Sequence, residues 1–439
     1  MSVENGISRR DFLKLSGASL GAIITDTLLT KIGSEILFTQ TTETESVNKV
    51  TFRKDSMIEV NGEPVFPLGL YYLPGPECPE SWTKLKNAGF NIINQWWVNE
   101  GTINEAEKNN IYTMAFLPYA FPRIDENYEV DEEILHRLEK SKSFIGYYGA
   151  DEPDLTLKRP LHIASLRQLE KLDPGRPDMA VFYEGPDIPI SPLFDIRGFK
   201  EDYQGNPEDL IGLPDSITVD DFKVWYLKNS GTEIVAFDYY DSSNIVGVDD
   251  ITKKYIGNLR DGKFGSGAKA VWVTLSAHSE IPRTLRGMRF QAIDVISRGA
   301  TGILWWDSPP GCSPEVCQGY LGKGKGYSVH WEKISSIGRE LAGVKKGLVG
   351  KEIFLGESQS GNVACKVTES DNGRHYIFAA ANLKAPGVPS KEKIPVSLRN
   401  KNFLVLGENR IVTSDKDGNL EDSYGYLSAH IYVQLMDMY

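Results

Sequence analysis

The chain has 439 residues, 41% of them hydrophobic, and a formal net charge of −12. This length exceeds one small domain and suits a barrel of about 250 residues with a second unit of about 100, while the apolar content is enough for full cores and excludes general disorder. The acidic balance, with no concentrated basic stretch, excludes broad electrostatic binding to nucleic acid or anionic membranes.

The N-terminus reads Ser8-Arg9-Arg10-Asp11-Phe12-Leu13-Lys14, followed by a moderately apolar segment from Leu15 to Ile32. It resembles the signal of the twin-arginine export pathway. Asp26 and Lys31 interrupt the apolar segment, which is too short and polar for a membrane span of about 20 residues. Residues 1–35 are therefore expected to be a signal segment read by the twin-arginine translocation machinery, and 36–47, with its TQTTETESV run, a linker. The resemblance implies an exported protein, extracellular, periplasmic or held at the cell surface by an uncleaved signal. Export permits disulfides. Of Cys78, Cys312, Cys317 and Cys365, the CSPEVC spacing allows a Cys312–Cys317 staple, a Cys78 cross-link to one of the two, or free thiols. It is not a zinc pattern, because no second Cys or His pair accompanies it.

From residue 48 the chain opens with alternating residues and a turn at Asn61-Gly62, a hairpin signal that leads into a strand over 66–72. Further strand-like runs cover 90–97, 111–118, 144–150, 178–183, 233–240, 270–275 and 301–306, which makes eight. Helical spacing separates them in SWTKLKNAG, EEILHRLEKSK, LHIASLRQLEKL and RTLRGMRFQAIDVISRG, and a further helix is expected around Val219–Lys228 inside the long connection from Glu184 to Thr232. Strands apolar on both faces and separated by helices predict a parallel sheet covered by helices. Eight such units, with no G-x-G-x-x-G or Walker loop, favour a closed (β/α)8 barrel over 48–346. After about Leu348 the helical period ends. Short alternating strands with Asp-Gly, Asn-Gly and Gly-Glu turns predict an antiparallel β-sandwich over 347–439.

Catalytic residues of such barrels lie at the C-terminal ends of the strands. Those ends carry Tyr71, Tyr72, Trp96, Trp97, Asp151, Glu152, Tyr183, Glu184, Asp238, Tyr239, Tyr240, Asp241, His278, Glu280, Trp305, Trp306 and Asp307. Aromatic faces stack on the C–H faces of sugar rings, and carboxylates bind hydroxyls and supply acid–base chemistry. Packing inside the barrel is the competing explanation for each aromatic taken singly. No Ser–His–Asp set, Cys–His pair or zinc-binding His cluster is visible, so neither a cofactor nor a metal is expected.

The segments IEVNGEPVFPLGLYY, GYYGADEP, EIVAFDYYD and RGATGILWW resemble the barrels of cellulase-like and β-galactosidase-like glycoside hydrolases over residues 55–345. The resemblance implies a carbohydrate substrate and, at the end of the fourth strand, a general acid/base at Glu152, with Asp151 where the family carries Asn. It also implies V-W-x-T-E on the seventh strand, with the Glu as nucleophile. Here the segment reads Val271-Trp272-Val273-Thr274-Leu275. The second carboxylate is then Asp238, ranked first, or Glu280, Glu184, Asp241 or Asp307. A glycan-binding barrel without hydrolysis is the alternative that Leu275 supports. No protein partner beyond the export machinery is inferred.

Overall fold

The computed structural model describes residues 48–71, 79–95, 100–117, 130–154, 162–184, 193–195, 207–214, 216–239, 248–277, 284–306, 330–381 and 389–436. The expected signal segment, together with Cys78, Cys312 and Cys317, lies outside them.

Eight parallel strands close into a barrel: β4 (Leu68–Leu70), β5 (Ile92–Gln95), β6 (Tyr112–Phe116), β7 (Phe144–Asp151), β8 (Asp178–Tyr183), β11 (Ile234–Tyr239), β12 (Ala270–Ser276) and β13 (Gly302–Trp306), the last pairing back onto β4. All eight fall on the runs expected from sequence. Alternation along each strand divides the apolar residues into two layers. Ile92, Met114, Tyr148, Val181, Ala236, Trp272 and Leu304 fill the interior. Leu70, Ile93, Phe182, Phe237, Val273 and Ile303 face outward onto the helices. Two interior positions are glycine for reasons of space. A Cβ on Gly302 would lie 2.8 Å from the Trp272 ring, and one on Gly69 would lie 2.2 Å from the Ile92 carbonyl oxygen.

The covering helices include α1 (Pro79–Asn87), α2 (Glu100–Asn109), α3 (Glu132–Glu139), α4 (Ile163–Leu172), α5 (Val219–Ser230), α6 (Val248–Arg260), α7 (Leu285–Ser297) and α8 (Trp331–Gly343). Several begin on side-chain caps, each contributing about 1 kcal/mol. Asp131 accepts from Glu133 N at 3.0 Å, Thr218 from Asp221 N at 3.1 Å and Thr284 from Gly287 N at 3.0 Å.

The N-terminal strands β1 (Val50–Phe52), β2 (Ile58–Val60) and β3 (Glu63–Val65) form an antiparallel sheet whose Val50, Ile58, Val60 and Val65 join the interior cluster. Asn61 (φ 55°) and Gly62 (φ 83°) connect β2 to β3 with two consecutive left-handed residues, the signature of a type I′ turn. Val50 N donates to Gly175 O at 3.2 Å, and Asn48 Nδ2 to Phe144 O at 3.2 Å, just where β8 and β7 begin. The sheet thus closes the N-terminal end of the barrel and leaves the C-terminal end for a site.

The C-terminal unit holds a six-stranded antiparallel sheet in the order β14-β15-β16-β21-β18-β19 and a two-stranded sheet, β17-β20. Their ranges are β14 Lys351–Glu357, β15 Val363–Glu369, β16 His375–Ala381, β17 Ser390–Pro395, β18 Asn402–Val405, β19 Arg410–Thr413, β20 Asn419–Tyr424 and β21 Ala429–Gln434. Val363, Cys365, Ile377, Ile394, Phe403, Leu420 and Tyr432 fill the space between the sheets, as expected of a sandwich. Cys365 is a free thiol here, and burial pushes its pKa up to about 12. The outer face of β16 and β21 packs on the barrel through Tyr376, Phe378 and Ile431. Arg289 of α7 ties the two units together, pairing with Glu340 of α8 at 2.6 Å and donating to Ala429 O at 2.6 Å.

Candidate active site

The fourth barrel strand, β7, ends in a register shift. Tyr148 pairs with Met179 and Ala150 with Ala180, so one residue is extra. That residue is Gly149, where a Cβ would meet the Leu166 side chain of α4 at 2.6 Å. With Ala150 in the outer layer, the bulge returns Asp151 to the interior face, where it accepts a hydrogen bond from the Tyr148 hydroxyl. Glu152 follows in the left-handed region at φ 49°, is 2% exposed, and donates its backbone N–H to Val181 O at 2.7 Å. Left-handed backbone at a non-glycine residue is strained, and such strain clusters at functional sites.

Across the interior stand Tyr71, Asp238 and Thr274. Alternation on β11 turns Ala236 and Asp238 inward and Phe237 and Tyr239 outward. Asp238 is fully buried, in register with Tyr183 on one side and Thr274 on the other. Thr274 Oγ1 lies 3.5 Å from the Tyr71 hydroxyl. The Tyr71 ring stands edge-on to Tyr148 at 5.7 Å and tilts against Trp306 at 5.5 Å. Burial, reinforced by the Asp238 and Asp151 carboxylates, raises the Tyr71 phenol well above its ordinary pKa; burial and Asp151 do the same to Tyr148. Both phenols therefore stay protonated, and the Tyr148 hydroxyl donates to Asp151. The arrangement presents two inward acids on different strands, two protonated phenols and an aromatic wall.

Other expected site residues are placed differently. Trp305 and Tyr239 belong to the outer layer, with Trp305 against Phe90 at 5.9 Å, so neither lines the interior. Glu184 accepts from Lys223 Nζ at 2.5 Å and from the Tyr255 hydroxyl at 2.7 Å, engaging α5 and α6 rather than the barrel axis. Asp154 follows Glu152 by two residues and belongs to the same cluster as Glu184. It is fully buried, ion-paired with Lys223 Nζ at 3.1 Å, and accepts from Tyr183 N at 3.1 Å. Burial penalises the Lys223 ammonium, but Asp154 and Glu184 more than offset it and hold its pKa above the ordinary lysine value. Burial also raises Asp154. This cluster ties the exits of β7 and β8 to α5. Tyr183 and Trp306 are interior residues. Tyr72, Trp96, Trp97, Tyr240, Asp241, His278, Glu280 and Asp307 lie outside the described residues.

Leu275 packs in the outer layer, and the inward residues closing β12 are Thr274 and Ser276. The position matched to the family nucleophile thus faces helices, not the barrel axis. Tyr148 and Thr274 were missed by reading strand ends as blocks; alternation within each strand would have picked them out.

No family model and no curated protein matches the chain. Among solved structures, an alpha-amylase from Anoxybacillus superposes with a TM-score of 0.46 at 10% identity, covering 82% of this chain and 90% of that one. A GH2 beta-galacturonidase from Eisenbergiella tayi gives 0.45 at 15% identity, with 67% of this chain spanning about half, 54%, of that enzyme. The endo-1,4-beta-mannanase of Rhizomucor miehei gives 0.41 at 11% identity, covering 68% of this chain and all, 100%, of that one.

Proposed function

We propose that the protein is an exported glycoside hydrolase acting on an oligo- or polysaccharide. Glu152 protonates the leaving glycosidic oxygen, and Asp238 is the second carboxylate, taking the proton of an attacking water. Such an inverting displacement uses carboxyl groups about 6.5–9.5 Å apart, which leaves room for the water. The observation that carries the reading is Glu152 itself: a buried, left-handed glutamate at the C-terminal end of the fourth barrel strand. The phenols of Tyr71 and Tyr148 support it, since the Tyr148 hydroxyl donates to Asp151 and the protonated Tyr71 phenol lies near the Asp238 and Asp151 carboxylates, keeping the site polar on one wall. Trp306 and Tyr71 supply ring faces for a sugar. The twin-arginine segment supports delivery outside the cytoplasm by the translocation machinery. Fusing residues 1–47 to a reporter tests this, since export must stop when Arg9 and Arg10 become lysines.

A second reading, a barrel that binds glycans without cleaving them, is favoured by one observation. The inward residues at the end of β12 are Thr274 and Ser276, neither of them an acid. Screening the protein for reducing-end release from a polysaccharide panel, beside equilibrium binding to the same panel, separates the two. Hydrolysis supports the first reading, and binding without release supports the second.

A further inference from the structure

Inside the barrel, Asn94 of β5 carries a primary amide whose Nδ2 and Oδ1 both lack a hydrogen-bond partner among the described residues, although the residue is only 1% exposed. Its direction follows from its neighbours. Ile92 belongs to the interior cluster and Ile93 to the outer layer, so Asn94 turns inward. Its depth follows from the register. Ile92 pairs with Gly69 and Ile93 with Leu70, which brings Asn94 level with Tyr71; on its other side it pairs with Met114. Tyr71 is the residue that meets Tyr148, Trp306 and Thr274 and feels the Asp151 and Asp238 carboxylates. Asn94 therefore belongs to the layer that holds the Asp151 and Asp238 carboxylates, above interior positions filled by Ile92, Trp272 and Leu304.

A buried amide has two hydrogens to donate and an oxygen to satisfy, and leaving all of them idle opposes folding. A leucine would fill the same space without that penalty. Neighbouring hydroxyls on a sugar ring each donate and accept, which is the complement such an amide lacks. We propose that Asn94 is a substrate-positioning residue that hydrogen-bonds hydroxyl groups of the sugar unit held beside Glu152 and so selects their configuration. The proposal rests on the glycoside reading of the site.

The test uses Asn94→Leu and Asn94→Ala in the full-length protein, with 4-nitrophenyl glycosides of glucose, galactose, mannose and xylose in both anomeric forms. The expected result is that Asn94→Leu unfolds at the same or a higher temperature while kcat/KM falls roughly tenfold or more. A monodeoxy substrate lacking the partner hydroxyl is then turned over alike by wild type and variant. Where Asn94→Leu fails to fold, Asn94→Ala carries the same comparison. A kcat/KM within twofold of wild type overturns the proposal and assigns the amide to an internal water. If the wild type binds methyl glycosides without cleaving the aryl ones, hydrolysis is refuted but Asn94 is still judged, by the change in Kd for the methyl glycosides. If no glycoside is bound or cleaved, both the glycoside reading and this inference fall.

Discussion

Lys223 Nζ donates to Glu184 Oε1 at 2.5 Å and sits 3.1 Å from Asp154 Oδ2, so one helix cation holds the carboxylates that follow two adjacent barrel strands. Lys223 and Asp154 are buried, and removing the cation strands both acids. Lys223→Met is expected to lower stability by about 3–5 kcal/mol. Glu184→Gln, which keeps Asp154 paired, costs less. Urea unfolding of the two variants checks the order; equal losses would refute the idea that Lys223 is the hub.

The outward placement of Leu275 yields a sharper expectation than the sequence alone. If this position were a lost nucleophile, Leu275→Glu would restore or raise activity. Because Leu275 faces the helical layer, the new carboxylate instead lies buried among apolar groups. The variant is expected to lose about 3 kcal/mol or more and to gain no activity. Thermal unfolding and turnover, measured together, distinguish the two.

His162 gives a pH signature. Burial lowers its pKa to about 4 from an ordinary 6.5. Below pH 6.5 the unfolded chain takes up a proton that the native imidazole refuses until about pH 4, so stability is lost as the pH falls through that window. The loss amounts to roughly 3 kcal/mol for a shift of this size. Asn tolerates the left-handed backbone found there, φ 55°. His162→Asn should therefore flatten the stability curve between pH 6.5 and 4, and an unchanged slope would contradict the assignment.

Asp178, at the start of β8, works in the opposite sense. Burial raises its carboxyl to about 7, although Thr232 donates to Oδ2 at 2.8 Å. Above pH 3.8 the unfolded chain releases a proton that the native state keeps until about pH 7, so stability declines across that interval. Asp178→Asn is expected to raise the unfolding temperature relative to wild type more at pH 8 than at pH 4. A pH-independent difference would rule out this titration.

The barrel was legible because its strands are apolar on both faces, as in the run from Phe144 to Ala150, and because Asn61-Gly62 announces its turn. Among the covering helices, α2, α6 and α8 were not anticipated. The buried residues of α2 are Thr102 and Ala106, which leave too weak an apolar stripe to read. In the sandwich, β20 is hard to read as a strand because one of its inward positions is an acid. Asp422 accepts both Arg410 nitrogens, at 2.9 and 2.7 Å, and the Tyr432 hydroxyl at 2.8 Å, which makes a buried aspartate tolerable and hides the alternation. Glu152 and Asp238 were picked out as candidates from their strand ends. Lys223 was not, because its partners come from distant parts of the chain and no local spacing marks them.

The most direct test of the central claim is the activity of Glu152→Gln on a glycoside that the wild type hydrolyses, with thermal unfolding measured on the same samples. The account predicts unchanged unfolding and a fall in kcat/KM of about 100- to 10,000-fold, the range expected when a general acid is removed. Turnover equal to wild type in a folded Glu152→Gln protein would contradict it.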